Sequence, residues 1–350
     1  MAGALKKYAY INAKIRAKLG NILDESAFSS LSESGTVEEA LSKLRDTEFS
    51  EMDTVYRKTG DLKFAELKLN ETELSLYKEI SDKLSGPPAS VVKVLADKFM
   101  VENIKSGLRL FFEKYINKRD ISGKVQYLLN APGGGSSVTD ALINSETIPE
   151  VEGVLKSNYY SLPAAEYIHN LNLEPSLFKA EISMDTNYYK TLINRISKLK
   201  GKDYKSASRI TGVKIDILNM NTAIRLKKNF QLPADEINTF LIDGGFHIPL
   251  QVMKEYIGED SINPLFRRLG TGDLSLYKEN ASVGSKLLLV EEALNNALKE
   301  EAHKILSGYP FTIGTVLAYF ILKSDEFQKI RTVLNGINYG MDSKRIRDMI

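Results

Sequence analysis

The chain has 350 residues, with 47 basic and 45 acidic side chains for a formal net charge of +2, and is 43% hydrophobic and 26% charged. That length accommodates two or three domains of ordinary globular composition, and the near-balance of charge gives no whole-molecule field to draw in nucleic acid or an anionic membrane. Cysteine is absent, which removes disulfide frameworks, thiolate metal sites and cysteine nucleophiles and fits a reducing cytoplasm.

The opening segment MAGALKKYAYINAKIRAKLG is charged and periodic throughout and lacks the apolar block and small-residue cleavage site of a signal peptide. Within it and just beyond, Tyr8, Ile11, Ile15, Leu19 and Ile22 recur at spacings of three and four, which predicts a helix. Thr36 followed by Glu39 predicts a capping box ahead of Ala40, Leu41 and Leu44. Leu95, Phe99, Ile104, Leu108 and Phe111 mark another apolar face, and Ile215, Leu218, Thr222, Ile224 and Leu226 a similar one. Breakers separate such stretches at Gly86-Pro87-Pro88, Pro132-Gly133-Gly134-Gly135, Gly201, Gly244-Gly245, Gly270-Thr271-Gly272 and Gly308-Tyr309-Pro310. Asp243-Gly244 and Asn335-Gly336 are hairpin-type dipeptides, but neither lies between alternating β-branched runs. Ile305 to Leu322 carries no formal charge and touches the lower length limit for a membrane span. Pro310 splits it into a loop and a shorter apolar helix, so a buried core helix is predicted. The fold class expected is all-α, built of many short helices with almost no sheet.

An internal repeat organises these elements. At an offset of 111 residues Leu31 maps to Leu142 and then to Met253, Ala40 to Val151 and Ile262, and Leu44 to Leu155 and Phe266; Phe49 maps to Tyr160, with Thr271 in the third copy. Later in each unit, Asn103-Ile104-Lys105-Ser106-Gly107-Leu108-Arg109 parallels Asn219-Met220-Asn221-Thr222-Ala223-Ile224-Arg225. The third copy, Asp325 to Arg331, keeps only the final apolar-Arg pair, Ile330-Arg331. Three similar helical domains are expected, spanning 1–118, 119–232 and 233–350. A pseudo-three-fold arrangement of them would be able to enclose a central cavity, although the sequence does not require that closure.

Reactive chemistry is hard to place. The run from Pro132 to Ser137 is not a P-loop, which needs Gly-x4-Gly-Lys-Ser/Thr, and reads as a loop with a serine cap. His169, His247 and His303 have no partner histidine at metal-ligand spacing. Glu38-Glu39, Glu291-Glu292 and Glu300-Glu301 fit helix surfaces better than acid/base machinery. Gly-x-Ser-x-Gly is absent, so no catalytic, cofactor-binding or metal-binding residue is assigned. Arg195, Lys198, Lys200, Lys202 and Lys205 cluster, with Lys227 and Lys228 beyond, but only Tyr188, Tyr189 and Tyr204 interleave. A solvated helix face is expected there rather than a nucleic-acid stripe. The repeated landmarks admit two readings. Asn103 and Asn219 cap or cross-link neighbouring helices while Arg109 and Arg225 pair with carboxylates, or the same residues touch a partner.

Tyr8-Ala9-Tyr10-Ile11-Asn12-Ala13-Lys14-Ile15-Arg16 is similar to the opening helix of a family of central-stalk proteins in A-type and V-type rotary ATPases, the C/d family. The family's Asn-apolar-x-x-x-apolar-Arg helix resembles Asn103 to Arg109 and Asn219 to Arg225. Its C-terminal helix resembles Val316-Leu317-Ala318-Tyr319, Glu326 and Ile330-Arg331, and its Gly-Gly-Phe turn resembles Gly244-Gly245-Phe246. The resemblance runs from about residue 8 to residue 348. It implies a funnel of three similar helical domains on the cytoplasmic face, peripheral to the membrane, with its base on the proteolipid ring and its socket around the shaft subunits D and F. The implied protein holds no nucleotide or cofactor and does mechanical rather than catalytic work. Two other classes share the composition: a general helical adaptor, and a helical enzyme with an unobvious pocket. Arg16, Asn103, Arg109, Asn219, Arg225 and Arg331 are the candidate structural or interface residues.

Overall fold

The computed structural model describes residues 2–129, 135–173, 175–259, 265, 268 and 283–350. In chain order its helices are α1 (Ala2–Leu19), α2 (Glu25–Ser32), α3 (Val37–Ser42), α4 (Ser50–Thr59), α5 (Leu62–Ser81), α6 (Gly86–Tyr115), α7 (Ser122–Val125), α8 (Ser136–Asn144) and α9 (Ile148–Lys156). After a 3-10 turn at Leu162–Ala164 come α10 (Ala165–Ile168), α11 (Phe178–Ile196), α12 (Gly201–Lys228), α13 (Ala234–Phe240), α14 (Leu250–Glu259), α15 (Val283–Ser307), α16 (Ile313–Asn338) and α17 (Ser343–Arg347). The protein is all-α, with no strand among the described residues.

Many of the helices are short, as expected, but α6, α12, α15 and α16 run for 30, 28, 25 and 26 residues. The physical reason is burial on several sides. In α6, Val91, Val92, Val94, Leu95, Val101, Ile104, Leu108, Leu110 and Phe111 are all buried, so no single stripe marks the helix from end to end. The Gly86-Pro87-Pro88 breaker starts α6 with proline in its first turn, where the missing N–H costs nothing. Asn335-Gly336 lies inside α16.

Packing divides into one large core, a smaller one and a minor cluster of Leu110, Ile121, Leu128 and Ile143. The large core joins α1, α5, α6, α11, α12, α15 and the first half of α16, with Tyr8, Ile15, Ile104, Leu192, Leu294 and Tyr319 almost fully covered. The smaller core seats the N-terminal helices α2 to α5 on the C-terminal half of α16: Phe28, Leu31, Leu41, Phe49 and Met52 pack with Phe327, Ile330 and Leu334. The first and last hundred residues therefore share one interior. The α16 residues Ile313 to Ile321 are buried, and among the described residues no helix is long and apolar enough to cross a membrane.

Positions related by 111 residues are buried alike. Leu31, Leu142 and Met253 lie in α2, α8 and α14, all buried, and Leu44 and Leu155 are also buried. Thr36 Oγ1 accepts the Glu39 N–H at 3.2 Å, and the Glu39 carboxylate accepts the Gly35 N–H at 2.9 Å. Thr147 and Glu150 repeat this box ahead of α9, at 3.4 Å to Thr147 Oγ1 and 2.8 Å from the Glu146 N–H. Ile262, Phe266, Thr271 and the Gly270-Thr271-Gly272 breaker lie outside the described residues.

Candidate functional site

Two buried asparagines make the same pair of bonds. Asn103, on α6, donates Nδ2–H to the Leu129 carbonyl at 3.0 Å and accepts the Leu129 N–H through Oδ1 at 3.0 Å. Asn219, on α12, does the same to Ile242, at 2.7 and 2.9 Å. Each side-chain amide thus satisfies both backbone groups of one residue in the segment that follows its long helix. Leaving either buried group unpaired costs about 1–3 kcal/mol, so these bonds fix the return path of the chain.

On α16 the asparagine is missing, and the neighbouring Glu326 takes its acceptor role. Glu326 Oε1 accepts the Leu23 N–H at 2.8 Å, which ties the N-terminal segment to the C-terminal helix. Its other oxygen pairs with Lys323, both side chains being 1% exposed, and Glu48 gives Lys323 a second carboxylate. The Lys323 ammonium also lies 4.7 Å from the Phe49 ring centroid and 5.3 Å from that of Phe327. Burial raises the Glu326 carboxyl, and Lys323 pulls it only partly back, so it titrates above the usual glutamate range.

The landmark arginines diverge. Arg109 grips Glu181 of α11 with two bonds of 2.6 and 2.9 Å. Arg331 donates to Asn70 at 2.5 Å and lies 3.6 Å from Glu73, joining α16 to α5. Arg16 donates to the Leu306 carbonyl and so caps the last turn of α15. Arg225 is exposed and makes no ion pair among the described residues, so the expected carboxylate partner is not there. Asn103 and Arg331 both line a cavity of about 390 Å³, with Glu73, Lys98 and Tyr127.

Several charged groups inside the body were not legible as landmarks. Lys98 pairs with Glu73 at 2.6 Å; burial pulls this ammonium down, and Tyr77 and Glu73 more than offset it, leaving its pKa above the usual lysine value. Lys214 is pushed down to about 8 by burial and by the like charge of Lys98. Lys105, 4% exposed, pairs with Asp185 of α11 and with Glu102. The only sequence signal for these was a charge placed on an otherwise apolar helix face.

The Gly-Gly-Phe turn has a distinct chemistry. Asp216 of α12 is fully buried and accepts three successive backbone N–H groups, from Phe246 at 3.1 Å, His247 at 2.7 Å and Ile248 at 3.2 Å. Burial lifts its carboxyl to about 6, against the pull of those three donors. Gly245 lies so close that a Cβ there would sit 2.2 Å from Asp216 Oδ1 and 2.5 Å from the Ile248 carbonyl oxygen.

Among the described residues no group of three or more His, Asp or Glu side chains is placed to hold a metal. His169 contacts Glu152 at 3.0 Å and is mostly exposed, and His247 stacks edge-on against Phe246. In the glycine-rich run, Gly135 begins α8 with a positive φ, and the residues from Pro132 to Gly134 lie outside the described residues.

The Asn103, Asn219, Glu326 and Arg109 bonds tie one helix to another or to a connecting segment, so fold and site together define a helical scaffold. The chain belongs to the family described as ATP synthase (C/AC39) subunit, which it matches over residues 11–349. It is similar to the C subunit of the A-type ATP synthase of Methanocaldococcus jannaschii, 24% identical over 353 residues, covering 99% of this chain and 86% of that one. The Pyrococcus horikoshii protein of the same name is 25% identical over 354 residues, covering 98% and 90%. That of Thermococcus gammatolerans is 25% identical over 350 residues, covering 98% and 89%.

Proposed function

We propose that this chain is the mechanical coupling piece of an A/V-type rotary ATPase, without catalytic chemistry of its own. Its socket receives the shaft subunits D and F, its base sits on the membrane proteolipid ring, and it works as a peripheral protein on the cytoplasmic face. Three helical units at 1–118, 119–232 and 233–350 form a pseudo-three-fold funnel. The observation that carries the reading is the end-to-end family match over residues 11–349. The paired capping boxes and the paired Asn103 and Asn219 bonds support a repeat of the first unit in the second. The rigidity that torque transfer demands is supported by dense helix packing and by ion pairs joining separate helices, since close-packed interiors have low compressibility.

The test is reconstitution. The purified chain is mixed with a D–F pair and with detergent-solubilised proteolipid ring, and complexes are resolved by size-exclusion chromatography. A ternary complex that forms only when the chain is present is the expected result. Failure to bind either partner, or ATP turnover by the chain alone, removes the proposal.

A further inference from the structure

A concave groove of about 690 Å³ opens where three segments converge: the start of α1 (Gly3, Ala4, Lys7, Tyr8), the start of α12 (Lys200, Lys202, Asp203) and the loop before α16 (Tyr309, Phe311, Thr312). Its charge is one-sided. Lys200 and Lys202 are exposed, as are Lys198, Lys205 and Lys6 nearby, and none of the five makes an ion pair among the described residues. The single acid in the wall, Asp203, is already engaged: Oδ1 accepts the Ile313 N–H at 2.9 Å, and Oδ2 accepts the Tyr8 hydroxyl at 2.7 Å and lies 3.8 Å from Lys7. The groove therefore presents uncompensated ammonium groups beside an aromatic wall. Exposed Leu5 and Tyr204 lie on the same two helix starts.

We propose that this groove docks an acidic polypeptide segment carrying an apolar anchor. Charge complementarity selects carboxylates for the lysine side, and the Tyr309 and Phe311 wall selects the apolar side chain. The volume suits a short run of side chains, in the range of about 300–1,000 Å³ typical of binding clefts. Two other anionic partners fit less well. A bilayer is flat and meets a convex or planar surface, whereas this site is recessed. A nucleic-acid strand needs free ring faces for stacking, but Lys202 already lies 4.2 Å over Tyr309 and Phe311 packs against the same ring at an interplanar angle of 81°. The inference is independent of the coupling role, because it concerns a surface of the isolated chain.

Fluorescence anisotropy on the purified full chain tests it, with a labelled synthetic peptide of glutamate and leucine as probe and the same peptide with glutamine for glutamate as control. Saturable binding of the acidic peptide is expected, with binding of the control weaker by about tenfold or more. The Lys200→Glu/Lys202→Glu variant and, separately, Tyr309→Ser should each weaken acidic-peptide binding by a similar factor. All three positions are exposed, so thermal melts of the variants should overlay that of the parent. No saturable binding, equal binding of the control peptide, or affinity unmoved by the lysine reversals overturns the proposal. Tighter lysine-dependent binding to phosphatidylserine vesicles or to single-stranded RNA overturns it in favour of that partner.

Discussion

Glu326 accepts the backbone N–H of Leu23 at 2.8 Å, across 303 residues of chain. The bond closes the polypeptide on itself, because the N-terminal helices complete the core of the C-terminal one. Glu326 also holds Lys323, and neither side chain reaches solvent. Removing Glu326 leaves the buried Lys323 ammonium with Glu48, which is partly exposed, as its carboxylate partner. Glu326→Ala is expected to cost about 3–5 kcal/mol. Glu326→Gln, which keeps an acceptor for Leu23, should cost less. Urea unfolding of the two variants measures the difference, and equal losses would show that the Leu23 bond contributes nothing.

The paired asparagines make a second prediction. Asn219→Ala leaves the Ile242 N–H and carbonyl unpaired in the interior and should cost about 2–4 kcal/mol, with Asn103→Ala similar. Hydrogen exchange gives the local readout: the Ile242 amide should lose protection in the first variant and the Leu129 amide in the second. Unchanged exchange at those amides would remove the pinning role.

Much of the fold was written in local pattern. Periodicity at three and four marked Tyr8, Ile11 and Ile15, and all three are buried in α1. The Thr36–Glu39 box was legible because both halves lie within four residues. Its twin at Thr147 and Glu150 lay at the repeat offset and was visible in principle. The Glu326 to Leu23 closure was not, because no short-range pattern encodes a bond between opposite ends of the chain. Asp216 was hidden for a related reason: its partners are backbone N–H groups some thirty residues away, and backbone donors leave no mark in side-chain spacing. Arg225 shows the opposite failure, since sequence parallel with Arg109 suggested a carboxylate that the described residues do not supply.

Asp216 also predicts a pH dependence. Its folded-state carboxyl titrates at about 6, above the ordinary value of 3.8, so the folded protein holds this proton more tightly than the unfolded chain does. The stabilisation from this group is full below pH 3.8 and is lost as pH rises through about 6. Relative to Asp216→Asn, the parent should therefore lose up to about 3 kcal/mol between pH 4 and pH 7. Paired denaturant titrations across that window provide the measurement, and a flat difference curve would refute it.

Gly245 and Gly153 make a matched pair of substitutions with opposite signs. A Cβ at Gly245 collides with Asp216 Oδ1 and the Ile248 carbonyl, and Gly245→Ala should cost about 2–3 kcal/mol by overpacking. At Gly153, inside α9, a Cβ meets nothing within 4 Å, and Gly153→Ala should gain about 0.5–1 kcal/mol from helix propensity. Thermal melts should move in opposite directions, and a rise for Gly245→Ala would mean that the turn relaxes without strain.

Arg109 and Arg225 occupy the same place in the sequence landmark and should behave differently when truncated. Arg109 makes a two-bond contact with Glu181 while remaining half exposed, so solvent screens the pair and Arg109→Ala should cost at most about 1 kcal/mol. Arg225 has no ion-pair partner among the described residues, and Arg225→Ala should leave stability within about 0.5 kcal/mol of the parent. An exposed arginine with no ion-pair partner among the described residues is, however, well suited to an interface, where guanidinium groups are enriched. In the D–F and ring reconstitution, a weakened complex from Arg225→Ala with unchanged stability would place that side chain at a partner contact. A loss of stability greater than that of Arg109→Ala would instead mean that Arg225 holds the fold through a contact outside the described residues.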